Sequence, residues 1–516
     1  MKGRTKSARR AACALAAALT AALTSVAAFP VAASPRGART DVSAAIDASA
    51  SGKPVPSGYL GLSFELSSLV ELTRLGEHGN LVTLLRSLGP GVLRFGGVSA
   101  DTQAAWADAA TPRPAWATST IGPADLERLA RLAARSGWKI LLTVGLAHFE
   151  PDAAVREVEA ARAILGPWLA GIELGNEPNA YASHDLRPSP WTSSQYAAQA
   201  ASILGAVAGD GGSRPPLAGP DVSGSPAIVS WGPGERSLGA ALLTGHHYPL
   251  GCHGAIRPSI ARLLSPAIRR AERISTRRYM SAASRSGIPF RLDEAGSVSC
   301  GGRPGISNTF AATLWATDYV ARTMAAGMSG INFHGNVRNC DGYSPLCAAS
   351  AADLVSGHLR AQPEWYALLL DKALVGDVPL PSSLTWERHA NIDVVAMRAR
   401  NGNIHVLIVD DDPPGSRVVA IRLHAPTRFR GAHVLELRAP SPKAISQLTL
   451  GDSAVTASGT WGVDDSPRVR ADRLGGVTVL VPPSSADLVT LTPAEAIRPM
   501  RRSVSKAVPR KRAGRA

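Results

Sequence analysis

The sequence predicts an α/β protein, a (β/α)8 TIM barrel followed by a C-terminal antiparallel β-sandwich domain. Two observations carry that prediction. Between residues 60 and 335, short apolar runs rich in Val, Ile, Leu or Phe alternate with longer stretches whose apolar residues recur at three- and four-residue steps. Eight such units in about 275 residues match the size and pattern of an eightfold barrel. After about residue 375 the texture changes to alternating strand-like runs separated by turn residues, as in a sandwich.

Taken in order, the chain opens on residues 1–33, where Lys2, Arg4, Lys6, Arg9 and Arg10 precede an Ala/Leu run and Val31, Ala32 and Ala33 offer small residues for cleavage before Ser34. This is the pattern of a secretory signal. Arg9 and Arg10 only faintly resemble a twin-arginine signal, because Ala follows where a bulky apolar residue is usual. No later apolar run is long enough to span a bilayer, so an exported, extracellular protein is expected.

The barrel is expected over residues 34–375, with strands at 59–66, 91–97, 139–146, 170–178, 215–223, 242–250, 289–296 and 329–336. Helical spacing over 123–137 and 307–327 supplies the intervening layer. Residues 40–50 offer a further strand to the sandwich at 376–492, and a basic tail follows over 493–516.

The formal net charge of +15 invites a nucleic-acid or membrane reading, yet five of those charges lie in the signal. Eight more lie in the tail (Arg498, Arg501, Arg502, Lys506, Arg510, Lys511, Arg512 and Arg515), so the body is almost neutral and no nucleic-acid partner is expected. The tail holds too little apolar content to fold; it reads as a solvated end or as an electrostatic tether to an anionic wall or polysaccharide.

Cys13 falls in the signal, which leaves Cys252, Cys300, Cys340 and Cys347, an even number for an oxidising compartment. Of three possible pairings, Cys252 with Cys300 and Cys340 with Cys347 is favoured, the second closing a short loop. A zinc site is the rival, but no C-x-x-C pair exists, and neither a metal nor a cofactor is expected.

Polar residues gather at the C-terminal ends of the predicted strands: Glu65, Arg94, His148, Asn176, Glu177, His246, His247, Tyr248, Glu294, His334 and Asn336. In a barrel these ends ring one mouth, where such enzymes place their chemistry, and Glu65, Arg94, Asn176, His247 and Tyr248 are expected to bind substrate there. Hydrolysis of a glycosidic bond needs a proton for the leaving oxygen and negative charge beneath the anomeric carbon, hence two carboxyl groups in different environments. Glu177 ends the fourth strand and Glu294 the seventh, across the mouth from each other. A separation of about 5–5.5 Å would give retention of configuration through a covalent glycosyl-enzyme. Asn176 suits a donor to the sugar 2-hydroxyl. Glu173, on the same strand face as Glu177, reads as an interior partner of Arg94. His246 and His247 alternate faces, so at most one can enter the mouth; His247 is taken as that residue. Trp106, Trp116, Tyr181 and Trp191 lie in loops near the mouth and offer sugar-stacking surfaces.

"IELGNEPN", "HHYP" and "RLDEAGS" resemble the retaining glycosidases built on (β/α)8 barrels. Together with "LRFGG", the "NTFAATLWATDYVARTMAAG" helix and "PEWYALLL", they more closely resemble family 79 glycoside hydrolases, the β-glucuronidase and heparanase group, over most of residues 55–490. The resemblance implies that Glu177 is the general acid/base, Glu294 the nucleophile and Tyr248 a hydrogen-bond partner of the nucleophile. Arg94 would hold Glu294 charged, while a drier site keeps Glu177 protonated. Gly342 and Tyr343, in "NCDGYSPLC" after the eighth strand, resemble the family's device for a uronate carboxylate.

The expected function is that of a secreted retaining exo-β-glycosidase on unsulfated, terminal β-D-glucuronides. A neutral β-glycosidase such as a glucosidase is the alternative within the class, and a non-catalytic polysaccharide-binding protein the alternative outside it. A serine esterase would want a G-x-S-x-G elbow, and none is present.

Overall fold

The computed structural model describes residues 39–209, 214–386 and 388–495. The expected signal and nearly all of the basic tail lie outside the described residues.

All eight predicted runs are the strands of one parallel sheet: Leu60–Glu65, Val92–Gly96, Lys139–Val144, Leu169–Leu174, Ala218–Val222, Leu242–His247, Phe290–Ala295 and Gly330–Gly335. Except between the fourth and the fifth, each pairs with the next in sequence, and the last pairs in parallel with the first. The remaining seam, between the fourth and fifth strands, is closed by a parallel bridge from Ile172 to Leu217 and by the Ile172 N–H donating to the Pro216 carbonyl at 2.8 Å. A sheet closed on itself has no exposed edge.

The helices follow from their apolar spacing. In Pro123–Ser136, Leu126, Leu129, Leu132 and Ala133 are buried on one face, and Gly137 ends the helix in the left-handed region at φ 78°. Phe310–Ala325 is buried on nearly every side because it lies between the barrel and the sandwich. Its first turn is tied down by the Phe310 N–H on the Ala444 carbonyl (2.8 Å) and its last by Arg322, which reaches Asp393 at 3.5 Å.

Two sheets form the sandwich. One orders Val378–Leu380, Ile392–Arg398, Ile404–Asp410, Ser485–Pro493, Phe429–Arg438 and Thr449–Leu450, with Arg468–Arg470 added on Phe429–Arg438. The other orders Ser382–Trp386, Arg39–Ile46, Val418–His424 and Val477–Val481. The strand expected near residues 40–50 is thus present, but it runs parallel to Val418–His424. The sandwich is therefore mixed rather than wholly antiparallel. The long excursion through the barrel before the chain returns frees this pair from hairpin connection, which alone would force an antiparallel arrangement.

Candidate active site

At the floor of the mouth sits Arg94, from the second barrel strand and fully buried. Its guanidinium donates to Glu173 (2.9 Å), Ser63 (3.1 Å), Asn176 (2.9 Å), Asp221 (2.8 Å) and Glu294 (2.7 Å), and lies 3.3 Å from Asp293. The predicted partnership with Glu173 is present. Arg94 does not reach the substrate space, however: every donor is spent beneath it, so its role as a binding residue is corrected to that of the cation on which the site is built. A buried arginine is tolerable only with its charge matched and its donors satisfied, and both conditions hold here.

Sequence parity alone would place Asp293 and Glu294 on opposite faces of the seventh strand. A register shift between Leu292 and Glu294 relaxes the alternation, and both carboxylates reach the same guanidinium. A second irregularity, between Gly219 and Val222, accompanies Asp221 at φ 54° and turns its carboxylate inward.

Glu294 accepts from Arg94 Nη1 and, at 2.7 Å, from the Tyr248 hydroxyl. Burial pushes its carboxyl up, but the His246, His334 and Arg94 charges and the Tyr248 hydrogen bond overcome this and hold it well below the usual carboxylate range. Glu294 is therefore a carboxylate at neutral pH. Glu177 has different surroundings. Its backbone is in the left-handed region at φ 49°, an uncommon conformation for a residue with a side chain. The Glu177 N–H donates to the Asp221 carbonyl at 2.9 Å, and its side chain meets His246 Nδ1 at 2.8 Å. The expectation that Glu177 occupies the drier position is corrected: its side chain is 25% exposed and that of Glu294 is 11%. What separates the two is charge, with one cation beside Glu177 and three around Glu294.

His246 Nδ1 lies 2.8 Å from Glu177 Oε1 and 3.8 Å from Glu294 Oε1. Those two oxygens can be no farther apart than the sum of these distances. That bound takes in the retaining separation of about 5–5.5 Å and ends at the lower edge of the inverting range, about 6.5–9.5 Å. The other ring nitrogen, Nε2, meets Asp221 at 2.6 Å. Burial opposes protonation of this ring, yet the Glu294, Asp221 and Asp293 charges raise its pKa well above the ordinary value. It stands between the carboxylates as an imidazolium that donates to Glu177 and Asp221.

His246, then, enters the mouth, and the assignment of His247 is corrected. His247 faces the helix layer, where it stacks on Tyr319 (ring centroids 4.6 Å apart) with Glu272 at 3.4 Å. Alternation allows one of the two to face in without saying which. Thr244, two residues before His246 on the same interior face, is the available clue: its Oγ1 accepts from the Asp221 N–H at 3.1 Å. Asp221 is the functional residue that sequence reading missed, since strand five offered no polar terminus in an undistorted strand.

A cleft of about 650 Å³ lies over this floor, lined by Glu65, Asn176, Glu177, Tyr248, Glu294, His334, Gly342 and Tyr343 among others. Asn176 accepts from Arg94 through its side-chain oxygen, which directs the amide nitrogen to other partners. Glu65 accepts from the Ser99 N–H at 2.8 Å and lies 3.7 Å from His334. Tyr248 and Tyr343 pack with ring centroids 5.7 Å apart over Gly296, where a Cβ would come within 2.8 Å of one ring and 2.9 Å of the other. The Tyr343 hydroxyl accepts from the Gly301 N–H at 3.1 Å. Both disulfides are as favoured, Cys252 with Cys300 and Cys340 with Cys347. The first staples the loops after strands six and seven, and the second closes the loop that carries Gly342 and Tyr343.

The loop aromatics are not in this cleft. Trp106 is buried, Trp116 stacks on His148 at 4.1 Å, Tyr181 donates to Asp101 at 2.8 Å, and Trp191 donates to the Pro178 carbonyl at 3.0 Å. Asp221, His246 and Asp293 converge closely enough to suit a metal ion, but the Arg94 guanidinium already neutralises that cluster. Cys252, His253 and Cys300 also converge, but both sulfurs are in a disulfide and neither is a thiolate ligand.

No protein-family model matches the chain. It is 31% identical over 183 residues to a β-glucuronidase from Aspergillus niger, an alignment that covers 31% of this chain and 33% of that protein. The match thus spans about a third of the relative's length. Among solved structures, the fold is similar to that of a 4-O-α-L-rhamnosyl-β-D-glucuronidase from Fusarium oxysporum 12S, with TM-score 0.70 and 21% identity over 87% of this chain and 100% of that one. It is also similar to a GH51 arabinofuranosidase from Xanthomonas axonopodis pv. citri, with TM-score 0.63 and 13% identity over 88% and 100% of the two chains. The structural likenesses establish the barrel-and-sandwich fold.

Proposed function

We propose that this chain is a retaining β-glycosidase of the family 79 kind that removes terminal β-D-glucuronic acid from glycosides. The observation that carries the proposal is the pairing of unlike carboxyl groups across one imidazolium. Glu294 is held ionised by three cations and a tyrosine, as a nucleophile must be. Glu177 has a single cation beside it and opens to the cleft, as a group that exchanges protons with a leaving oxygen and then with water must.

In the first step Glu294 attacks the anomeric carbon as Glu177 gives its proton to the leaving oxygen; negative charge passes from Glu294 to Glu177. His246 lies within 3.8 Å of both, so the same fixed cation serves each carboxylate when it is charged, without reorganisation. Water, deprotonated by Glu177, then displaces Glu294 and releases the sugar. At the far wall the uronate carboxylate meets the Tyr343 hydroxyl and the backbone of Gly342, with the His334 imidazolium nearby. Burial lowers the His334 pKa, but the charge of Glu294 and the contact with Glu65 raise it above the usual histidine value.

Two paired disulfides and a leader-like N-terminal sequence support an extracellular setting, and no described helix is long and apolar enough to cross a membrane. The basic C-terminal sequence fits contact with an anionic wall or glycan. Hydrolysis of an aryl β-glucuronide beside the matching β-glucoside tests the proposal: the glucuronide should be strongly preferred. Preference for the glucoside would discard the uronate reading, and inactivity on both would favour a polysaccharide-binding protein.

A further inference from the structure

The turn that carries Glu177 has an unusual shape. Gly175 lies in the left-handed region at φ 79° and Glu177 at φ 49°, so two positive-φ residues flank Asn176. Backbone of this kind persists only where its surroundings over-determine it. Three consecutive N–H groups are held in place: Gly175 donates to the Val144 carbonyl at 2.8 Å, Asn176 to the Asp101 carboxylate at 2.8 Å and Glu177 to the Asp221 carbonyl at 2.9 Å. The first and last acceptors are backbone groups. The middle one is a side chain, and it belongs to a buried acid that the mechanism does not otherwise use.

Asp101 sits in the short helix Ser99–Thr102 after the second barrel strand, is 1% exposed, and does not line the catalytic cleft. Each of its carboxylate oxygens accepts two hydrogen bonds. Oδ1 takes the Leu146 and Ala147 N–H groups, at 2.8 and 2.9 Å, from the loop after the third strand. Oδ2 takes the Asn176 N–H and the Tyr181 hydroxyl, both at 2.8 Å, from the turn and short helix after the fourth. These donors fill the acceptor sites of an ionised carboxylate. Burial pushes the Asp101 pKa up, and the hydrogen bonds oppose that rise because they favour the charged form. Tyr181 is seated directly against the turn, since a Cβ on Gly175 would collide with its hydroxyl.

We infer that Asp101 is the positioning residue of the general acid: by fixing Asn176 it sets the direction in which Glu177 presents its proton to the leaving oxygen. The inference rests on the reading of Glu177 as the acid. Asp101→Asn keeps the shape but turns one oxygen into a donor. The new NH2 is least opposed on the Tyr181 side, where the hydroxyl can turn and accept, so the loss falls on the Asn176 N–H. The test is kcat/KM of the full chain on two aryl β-glucuronides, because a 2,4-dinitrophenolate departs without a proton whereas a phenolate needs one from Glu177. The variant should lose about 30-fold on the phenyl substrate and less than about threefold on the dinitrophenyl one, within the range that general acid catalysis supplies. A merely structural defect would lower both alike. Tyr181→Phe, which removes one of the two donors on Oδ2, should lower turnover of the phenyl substrate alone by about threefold, and it keeps the test decisive should Asp101→Asn fail to fold. Equal losses on the two substrates, or no loss on either, would overturn the inference. Glu177→Ala tests the underlying reading separately: it should spare the dinitrophenyl substrate far more than the phenyl one, and equal losses there would overturn the assignment of the acid itself.

Discussion

Tyr248→Phe removes one atom from the site and leaves its shape. The lost hydroxyl donates to Glu294 at 2.7 Å, a charge-assisted bond in a cleft floor where Glu294 is only 11% exposed. A hydrogen bond to a charged group contributes about 1.5–3 kcal/mol, and one pKa unit corresponds to about 1.4 kcal/mol. Losing it should therefore raise the Glu294 pKa by about 1–2 units, since the bond favours the ionised form. The fold should survive, because the phenyl ring keeps its packing against Tyr343 and Arg94 still holds the carboxylate. The assay is the pH dependence of kcat/KM on an aryl β-glucuronide, whose acidic limb reports the free nucleophile. The unmodified protein should keep its activity below the ordinary glutamate pKa of about 4.3, and the variant's acidic limb should stand about 1–2 pH units higher than the parent's. An acidic limb that stays in place or moves down, in a folded variant, would refute the assignment of Glu294 as the ionised nucleophile.

Asp221→Asn cuts the link from Arg94 to His246 and should lower kcat about 100-fold with the circular dichroism spectrum retained; near-normal turnover would remove Asp221 from the machinery. Non-reducing peptide mapping should find Cys252 with Cys300 and Cys340 with Cys347, and Cys340→Ala with Cys347→Ala should raise KM for the glucuronide several-fold by loosening Tyr343. Stability should fall as pH rises from about 4.5 to 8. Burial pushes the Glu157 and Glu235 carboxyls up to about 8 in the folded chain. The folded state therefore binds more protons than the unfolded one across that window, so stability is greatest below the unfolded pKa and is lost as pH climbs to the folded one. Glu157→Gln with Glu235→Gln should flatten the fall in Tm between pH 5 and pH 8, and an unchanged slope would count against it.

The barrel was legible because strand and helix periods alternate cleanly, and Glu177 and Glu294 because each ends an apolar run. Two features escaped. Asp221 is aimed inward by an irregularity in strand five, and Asp293 joins Glu294 at Arg94 through another in strand seven. A period of two cannot foresee residues that break it. Alternation fixes His246 and His247 only up to parity, and the polar Thr244 on the inward face is what assigns His246 to the mouth. Strand ends face the mouth, which points Arg94 at substrate, but it lies one layer deeper, where strand neighbours supply carboxylates from four directions. The parallel pairing of Arg39–Ile46 depends on which distant strand it meets, information that no local pattern holds.

The central claim is that Glu294 forms a covalent bond to the anomeric carbon. A 2-deoxy-2-fluoro-β-glucuronosyl fluoride, which forms the ester readily and hydrolyses it slowly, tests this by mass spectrometry of the digested protein. One fluoroglucuronosyl group should be added on the peptide containing Glu294, with activity lost in step. A label on Glu177, or unlabelled protein that turns over glucuronides with inversion of the anomeric centre, would contradict it.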